Sequence, residues 1–359
     1  MTRIQRLAAL LILMVLTGGC SGGKPLLPYS LETPPLVTLP VSHSNVIDGR
    51  GRFKEIYCAV QADHGAALPN DRPCGHVLQT LLHEPVPTGA PVHLGESRLR
   101  LRLVVVPGLF NDCISHKSSA FRYARVHLET LGYPTSLLLV SGRSSSTYNA
   151  VQIKNWLMEA DLAAGEKIVM VGYSKGVPDI LEALATFPEL GDQVAAMVAV
   201  AGVVGGTPLA DGLGHLYSGL LKEMDTEACP PGDGGAVDGL KRSVRQQWLS
   251  GNRLPDSVLY FSIGGLAQEE EISTILRPFY RRLALVDPRN DSQVVFSDAV
   301  IPGSTLLGYV KADHWAIAMP FAKDMPWISA SFIDRNAFPR EVLLESIIRF
   351  VEESLIAAR

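Results

Sequence analysis

The segment "KIVMVGYSKGVPDILEALATF", residues 167–187, decides how the chain folds. Its first seven residues form a continuous apolar run of strand length, as a strand buried on both faces of a parallel sheet requires. "GVPDILEALATF" then reads as a helix, with Pro178 in the first turn, where backbone N–H groups lack intrahelical partners. Between strand and helix stands Gly172-Tyr173-Ser174-Lys175-Gly176. The bare G-x-S-x-G pattern is weak, since composition alone yields roughly 0.2 occurrences in a chain of this kind. Its position carries the information. A serine between a buried strand and a helix sits in a strained turn, and flanking glycines lack the side chains that would collide as the two elements close. Such a turn lifts the serine Oγ to the sheet edge and aims the helix's N-terminal N–H groups at the same space.

Outward from this point, strand-like runs alternate with helical patterns. Strands are expected over 99–108, 134–140, 193–202, 257–265 and 305–312. Helices are expected in "SAFRYARVHLETLG", "STYNAVQIKNWLMEADLAAG" and the C-terminal "PREVLLESIIRFVEESL". This alternation predicts an α/β fold with a mostly parallel central sheet and helices on both faces. There are no internal repeats. Residues 43–96 form an N-terminal extension that should add an edge strand and a short helix near Cys74; no chemistry is legible there. Residues 203–255 form an insert between two strands. Leu209, Leu213, Leu216, Tyr217, Leu220 and Leu221 recur in it at helical spacing, as do Val237, Leu240, Val244 and Trp248. Such stripes usually pack a core, yet an insert at this edge of the sheet could also cap a pocket.

The 359 residues, 47% hydrophobic and 19% charged, describe a globular chain able to bury a sizeable core. A net charge of −4 without a long basic run argues against nucleic acid as a partner. Arg3 and Arg6 precede an apolar run over residues 7–16 and then "TGGC", the pattern of a signal peptide over 1–19. An apolar run of roughly ten residues is too short for a membrane span of about 20. "LTGGC" resembles the lipobox of bacterial lipoproteins, which implies lipidation of Cys20; Leu16 stands four residues before the cysteine and Thr17 takes the usual leucine's place. Residues 20–42 then read as a Pro-rich tether. The expectation is an exported protein of the bacterial cell envelope, held to a membrane by a lipid. In an oxidising compartment the remaining four cysteines suggest disulfides, with three possible connectivities. Cys58–Cys74 with Cys113–Cys229 is preferred because the first pair closes a short loop. Their spacing is unlike a zinc site, and no metal or cofactor is implied.

A serine hydroxyl is a weak nucleophile and needs a base. Of nine histidines only His215 and His314 follow Ser174. His215 lies in the leucine-rich part of the insert, whereas His314, in "KADHWAIA", follows the last expected strand. The order serine, acid, histidine, with the serine in a strand–turn–helix elbow, resembles the α/β-hydrolase superfamily of esterases and lipases over about residues 99–357. "NDSQVV" is similar to the "NDG-V" stretch that carries the acid in many bacterial lipases, which points to Asp291, with Ser292 in the glycine's place; Asp287 and Asp298 are the alternatives. "VVVPGLFND" resembles the superfamily's "HG-X" loop, with Pro107 replacing the histidine. That match gives the backbone N–H groups of Leu109 and Lys175 the oxyanion hole. "AGVVGGTPLAD" is similar to the "GTP/GSP" stretch after the sixth strand of lipases.

The resemblance implies a serine hydrolase that cleaves a carboxylic ester, a small molecule or a lipid-like one, through an acyl-enzyme. Thioesterase, amidase or acyltransferase chemistry would use the same triad, and an inactive fold serving as an envelope binding protein is the reading from another class. The Lys175 side chain stands apart, because a cation opposes the helix dipole at an N-terminus. It either favours an anionic substrate or reaches to water or to a carboxylate such as Asp179, four residues on.

Overall fold

The structure, a computed structural model, describes residues 41–212 and 232–359. The expected signal peptide, Cys20, nearly all of the tether, His215, Cys229 and the stripe residues Leu213, Leu216, Tyr217, Leu220 and Leu221 lie outside the described residues. Among the described residues no helix is long and apolar enough to cross a membrane.

Seven strands form one sheet, all parallel: β1 (Ile47–Asp48), β2 (Leu101–Val106), β3 (Thr135–Leu137), β4 (Lys167–Tyr173), β5 (Val194–Val200), β6 (Leu259–Gly265) and β7 (Thr305–Val310), in the order β1-β7-β6-β5-β4-β2-β3. Six of them fall inside the expected segments. The apolar runs are continuous because both sheet faces are covered, and the strand period of two sorts them. Leu103, Val105, Val169, Val171, Val198 and Val200 face one layer, and Val104, Val106, Met170, Met197 and Ala199 the other. The first layer holds α1 (Arg50–His64), α2 (Arg122–Thr130) and α8 (Arg340–Ala357). The second holds α3 (Ser146–Glu159) and α4 (Gly176–Thr186). In chain order α5 (Arg242–Gly251), α6 (Arg277–Ala284) and the one-turn α7 (His314–Ala318) come between α4 and α8.

Strand order places the site. The chain runs from β2 outward to β3, then crosses back so that β4 lies on the other side of β2. The loops leaving β2 and β4 therefore diverge, and the crevice between them, at the strands' C-terminal ends, is where open α/β sheets bind ligands.

Two parts depart from the sequence reading. The extension supplies the edge strand and a short helix at Cys74–Val77, but also the fifteen-residue α1, which was not foreseen. Only Phe53, Ile56, Tyr57 and Val60 of its side chains form a hydrophobic stripe, among charged neighbours, so its periodicity is faint; its packing against α8 and the sheet fixes it. In the insert, Val237 and Leu240 are buried, but Val244 is 44% exposed, and α5 instead buries Arg245 and Gln246. Cys58–Cys74 is a disulfide. Cys113 is also disulfide-bonded, and Cys229, its expected partner, lies outside the described residues.

Candidate active site

Ser174 occupies the turn between β4 and α4 with φ +55°, a left-handed conformation that costs a serine on the order of 1–3 kcal/mol. The flanking glycines make that turn possible. A Cβ on Gly176 would sit 2.1 Å from the Val106 carbonyl oxygen, and one on Gly172 would meet the Val177 Cα at 2.9 Å. Strand and helix can close around the serine only because both side chains are absent. Strain gathers around the same point. Of the seven non-glycine residues with positive φ among the described residues, Phe110, Ser174, Ala201 and Ser292 lie on the loops that converge here.

Three of the residues chosen from the sequence meet in a hydrogen-bonded row. Ser174 Oγ lies 2.8 Å from His314 Nε2, and His314 Nδ1 lies 2.8 Å from Asp291 Oδ2. The other carboxylate oxygen, Oδ1, accepts the backbone N–H of Gln293 at 2.9 Å and of Val294 at 2.7 Å. His314 N–H also donates to the Asp291 carbonyl at 2.8 Å, which ties the two loops together. Ser174, His314 and Asp291 are 8%, 3% and 1% exposed. The turn after Asp291 explains the motif it resembles. Ser292 has φ +82°, a conformation suited to the glycine that usually stands there.

The alternative acids are engaged elsewhere. Asp287 holds Arg289 at 2.6 Å, and Asp298 holds Arg242 at 3.1 Å. Burial pushes the Asp298 carboxyl up to about 6, against the opposing pull of Arg242. Asp313 is the N-cap of α7, accepting the Ala316 N–H at 2.8 Å and the Ser273 N–H at 2.9 Å. It thus fixes the helix on which His314 is the first residue.

The loop after β2 leans directly on the elbow. A Cβ on Gly108 would lie 2.7 Å from Ser174 Cβ, 3.1 Å from its Oγ and 3.3 Å from the Lys175 backbone nitrogen. This close approach sets the next residue, Leu109, beside the serine. Neither the Leu109 nor the Lys175 N–H donates to another group among the described residues. Leu109 and Phe110 pack with Val203, Ala210, Val237, Leu240 and Val294, an apolar cluster that joins the loop after β2 to the insert and the acid loop.

The Lys175 side chain does not face that space. Its Nζ lies 2.8 Å from both Asp179 carboxylate oxygens, and each residue is 1% exposed. Asp179 also accepts Ser146 Oγ at 2.7 Å and Asn149 Nδ2 at 2.8 Å. Of the two sequence readings, the carboxylate partner four residues on is the one observed, and it is a buried pair rather than a surface one. Arg245 approaches the same acidic group, and burial lowers its guanidinium to about 10.

Tyr173 was missed from the sequence. Its hydroxyl donates to the His314 carbonyl at 2.8 Å, and its ring lies 5.1 Å from the imidazole. Burial, with Asp291 and Asp313 nearby, raises its hydroxyl well above the ordinary range, so it stays a neutral donor. Asp313 has no role in the sequence reading; an Asp directly before a helical segment is the capping signal that points to it.

A metagenomic carboxyl esterase, MGS0156, is 46% identical to the chain, covering 90% of it and 97% of its own length with a TM-score of 0.84. The chain belongs to the α/β-hydrolase esterases. It is a hydrolase, and its chemistry is the cleavage of esters. Staphylococcus hyicus lipase (14% identity, TM-score 0.58, 76% of this chain and 100% of that one) shares the fold. So does Bacillus licheniformis lipase BlEst2 in its mature form (21% identity, TM-score 0.50, 63% and 89%). No family model matches the chain, and no curated protein does.

Proposed function

We propose that this esterase works through a Ser174-His314-Asp291 triad and an acyl-enzyme. His314 Nε2 takes the proton of Ser174 Oγ as the oxygen attacks the ester carbonyl. Asp291, acceptor at Nδ1, fixes the tautomer that leaves Nε2 free and stabilises the imidazolium that forms. The oxyanion settles on the N–H groups of Leu109 and Lys175; one such donor contributes roughly 3–4 kcal/mol of transition-state stabilisation. His314 then gives its proton to the departing alkoxide, and water, deprotonated by the same imidazole, resolves the ester on Ser174.

The observation that carries this reading is the unbroken pair of 2.8 Å contacts from Ser174 Oγ through His314 to Asp291. The left-handed serine and the two unused N–H groups next to it support the same assignment. The apolar cluster that Leu109 and Phe110 form with Val203, Val237 and Leu240, next to the oxyanion loop, suits an ester with an apolar acyl part. The test is hydrolysis of p-nitrophenyl esters over a range of acyl lengths. Wild type is expected to turn them over, and Ser174→Ala to lose at least ~1000-fold in kcat/KM with an unchanged unfolding temperature. A Ser174→Ala variant with undiminished activity would refute the assignment.

A further inference from the structure

Away from Ser174, three helices of one layer bring together His64, at the end of α1, His127, on α2, and Glu345, on α8. His64 Nδ1 lies 2.9 Å from both Glu345 oxygens, and His127 Nε2 lies 2.7 Å from Oε2. One ligand atom from each residue falls within 4.8 Å of the others. Glu345 is fully buried, while the two imidazoles keep an open side, at 23% and 14% side-chain exposure.

His64 stands between two carboxylates. Its Nδ1 faces Glu345, and its Nε2 faces Asp63 Oδ2 at 3.1 Å. A neutral imidazole has one N–H and one lone pair, so it can donate to only one of them. The hydrogen bond it makes is the one from Nδ1 to Glu345; Asp63, 60% exposed, is a charge near Nε2 rather than a hydrogen-bond partner. A divalent cation held by Nδ1 and Glu345 would take the place of that N–H and leave the imidazole proton on Nε2, beside Asp63.

We infer that His64, His127 and Glu345 bind a divalent transition-metal ion, with zinc the best fit, as a staple between α1, α2 and α8. Two imidazole nitrogens and a carboxylate oxygen, with water as the fourth ligand, are a donor set zinc accepts. Tetrahedral bonds of about 2.0–2.2 Å put ligand atoms roughly 3.3–3.5 Å apart, so the present 2.7–2.9 Å contacts need open by only about half an ångström. His64 is the last residue of its helix, where such an adjustment is easiest. The surrounding contacts suit the ion. Asp63 Oδ2, 3.1 Å from Nε2, stands where a carboxylate behind a ligating histidine would. Arg349 Nε holds Glu345 Oε1 at 2.7 Å, leaving Oε2 for the ion, and its other nitrogens are anchored on the carbonyls of His93, Leu94 and Gly95.

The experiment uses the full-length protein without a histidine tag, stripped with EDTA and titrated with Co²⁺, whose visible d–d absorption reports tetrahedral nitrogen and oxygen ligation. The expected result is one equivalent bound per chain, displaced by one equivalent of Zn²⁺. His64→Gln and His127→Gln should each weaken Co²⁺ binding at least ~10-fold while hydrolysing p-nitrophenyl esters as wild type does. Should one variant fold poorly, the other decides. Ser174→Ala should bind Co²⁺ normally, which separates this site from the catalytic assignment. A wild type with no d–d band at equimolar Co²⁺, or folded histidine variants that titrate like wild type, would overturn it.

Discussion

Replacing Asp179 by asparagine removes one charge from the pair buried under the nucleophile while keeping side-chain size. The amide can still meet Ser146 and Asn149, but Lys175 Nζ, 1% exposed, loses both of its 2.8 Å carboxylate contacts. Solvent cannot screen a charge at that depth, so the cost is that of stranding a buried ion, about 3–5 kcal/mol. For a domain of this size each kcal/mol moves the unfolding midpoint by about 2 °C, which gives a drop of about 6–10 °C. Differential scanning calorimetry with guanidinium titration reads both quantities. The double variant Lys175→Met/Asp179→Leu should recover most of the loss, because an apolar pair of similar volume often replaces a buried ion pair without penalty. Lys175→Met should leave the ratio of activity on anionic and neutral esters unchanged, since its side chain points into the protein. An Asp179→Asn variant within about 1 kcal/mol of wild type would refute the reasoning.

Two further outcomes follow from the site and its surroundings. Asp291→Asn keeps the shape of the acid but removes the charge behind His314, and kcat for p-nitrophenyl ester hydrolysis should fall by about 10⁴; a loss under tenfold would mean another group orients the imidazole. Asp298, raised to about 6 by burial, binds its proton more tightly folded than unfolded. Its contribution is fully present below about pH 4 and is lost as pH rises through 6, a decline of about 3 kcal/mol. Urea unfolding of Asp298→Asn at several pH values between 4 and 7 should show that decline removed.

What was legible in the sequence was whatever local chemistry dictates. Buried parallel strands must be continuous apolar runs, so six strands could be bounded from text alone. The elbow could be read because its glycines are forced, as the 2.1 Å clash at Gly176 shows. His314 and Asp291 followed from chain order and a family resemblance, and the structure joins them to Ser174 by 2.8 Å contacts. The parts that were missed depend on tertiary partners. α1 is held by α8 and the sheet, and its own stripe of Phe53, Ile56, Tyr57 and Val60 is diluted by charged residues. Tyr173 looked like one more apolar strand residue, and only the fold reveals that its hydroxyl supports the loop of His314. His64, His127 and Glu345 are 63 and 218 residues apart in sequence, so no local pattern could join them. The helical stripe through Val244 failed for the opposite reason, because α5 turns its arginine and glutamine inward instead.

The central claim is that Ser174 forms the covalent intermediate. Its most direct test is intact-mass and peptide analysis after reaction with a fluorophosphonate probe. One adduct per chain is expected, on the peptide containing Ser174 and absent from Ser174→Ala. An adduct that persists in Ser174→Ala, or an enzyme that hydrolyses esters yet never reacts with the probe, would contradict the account.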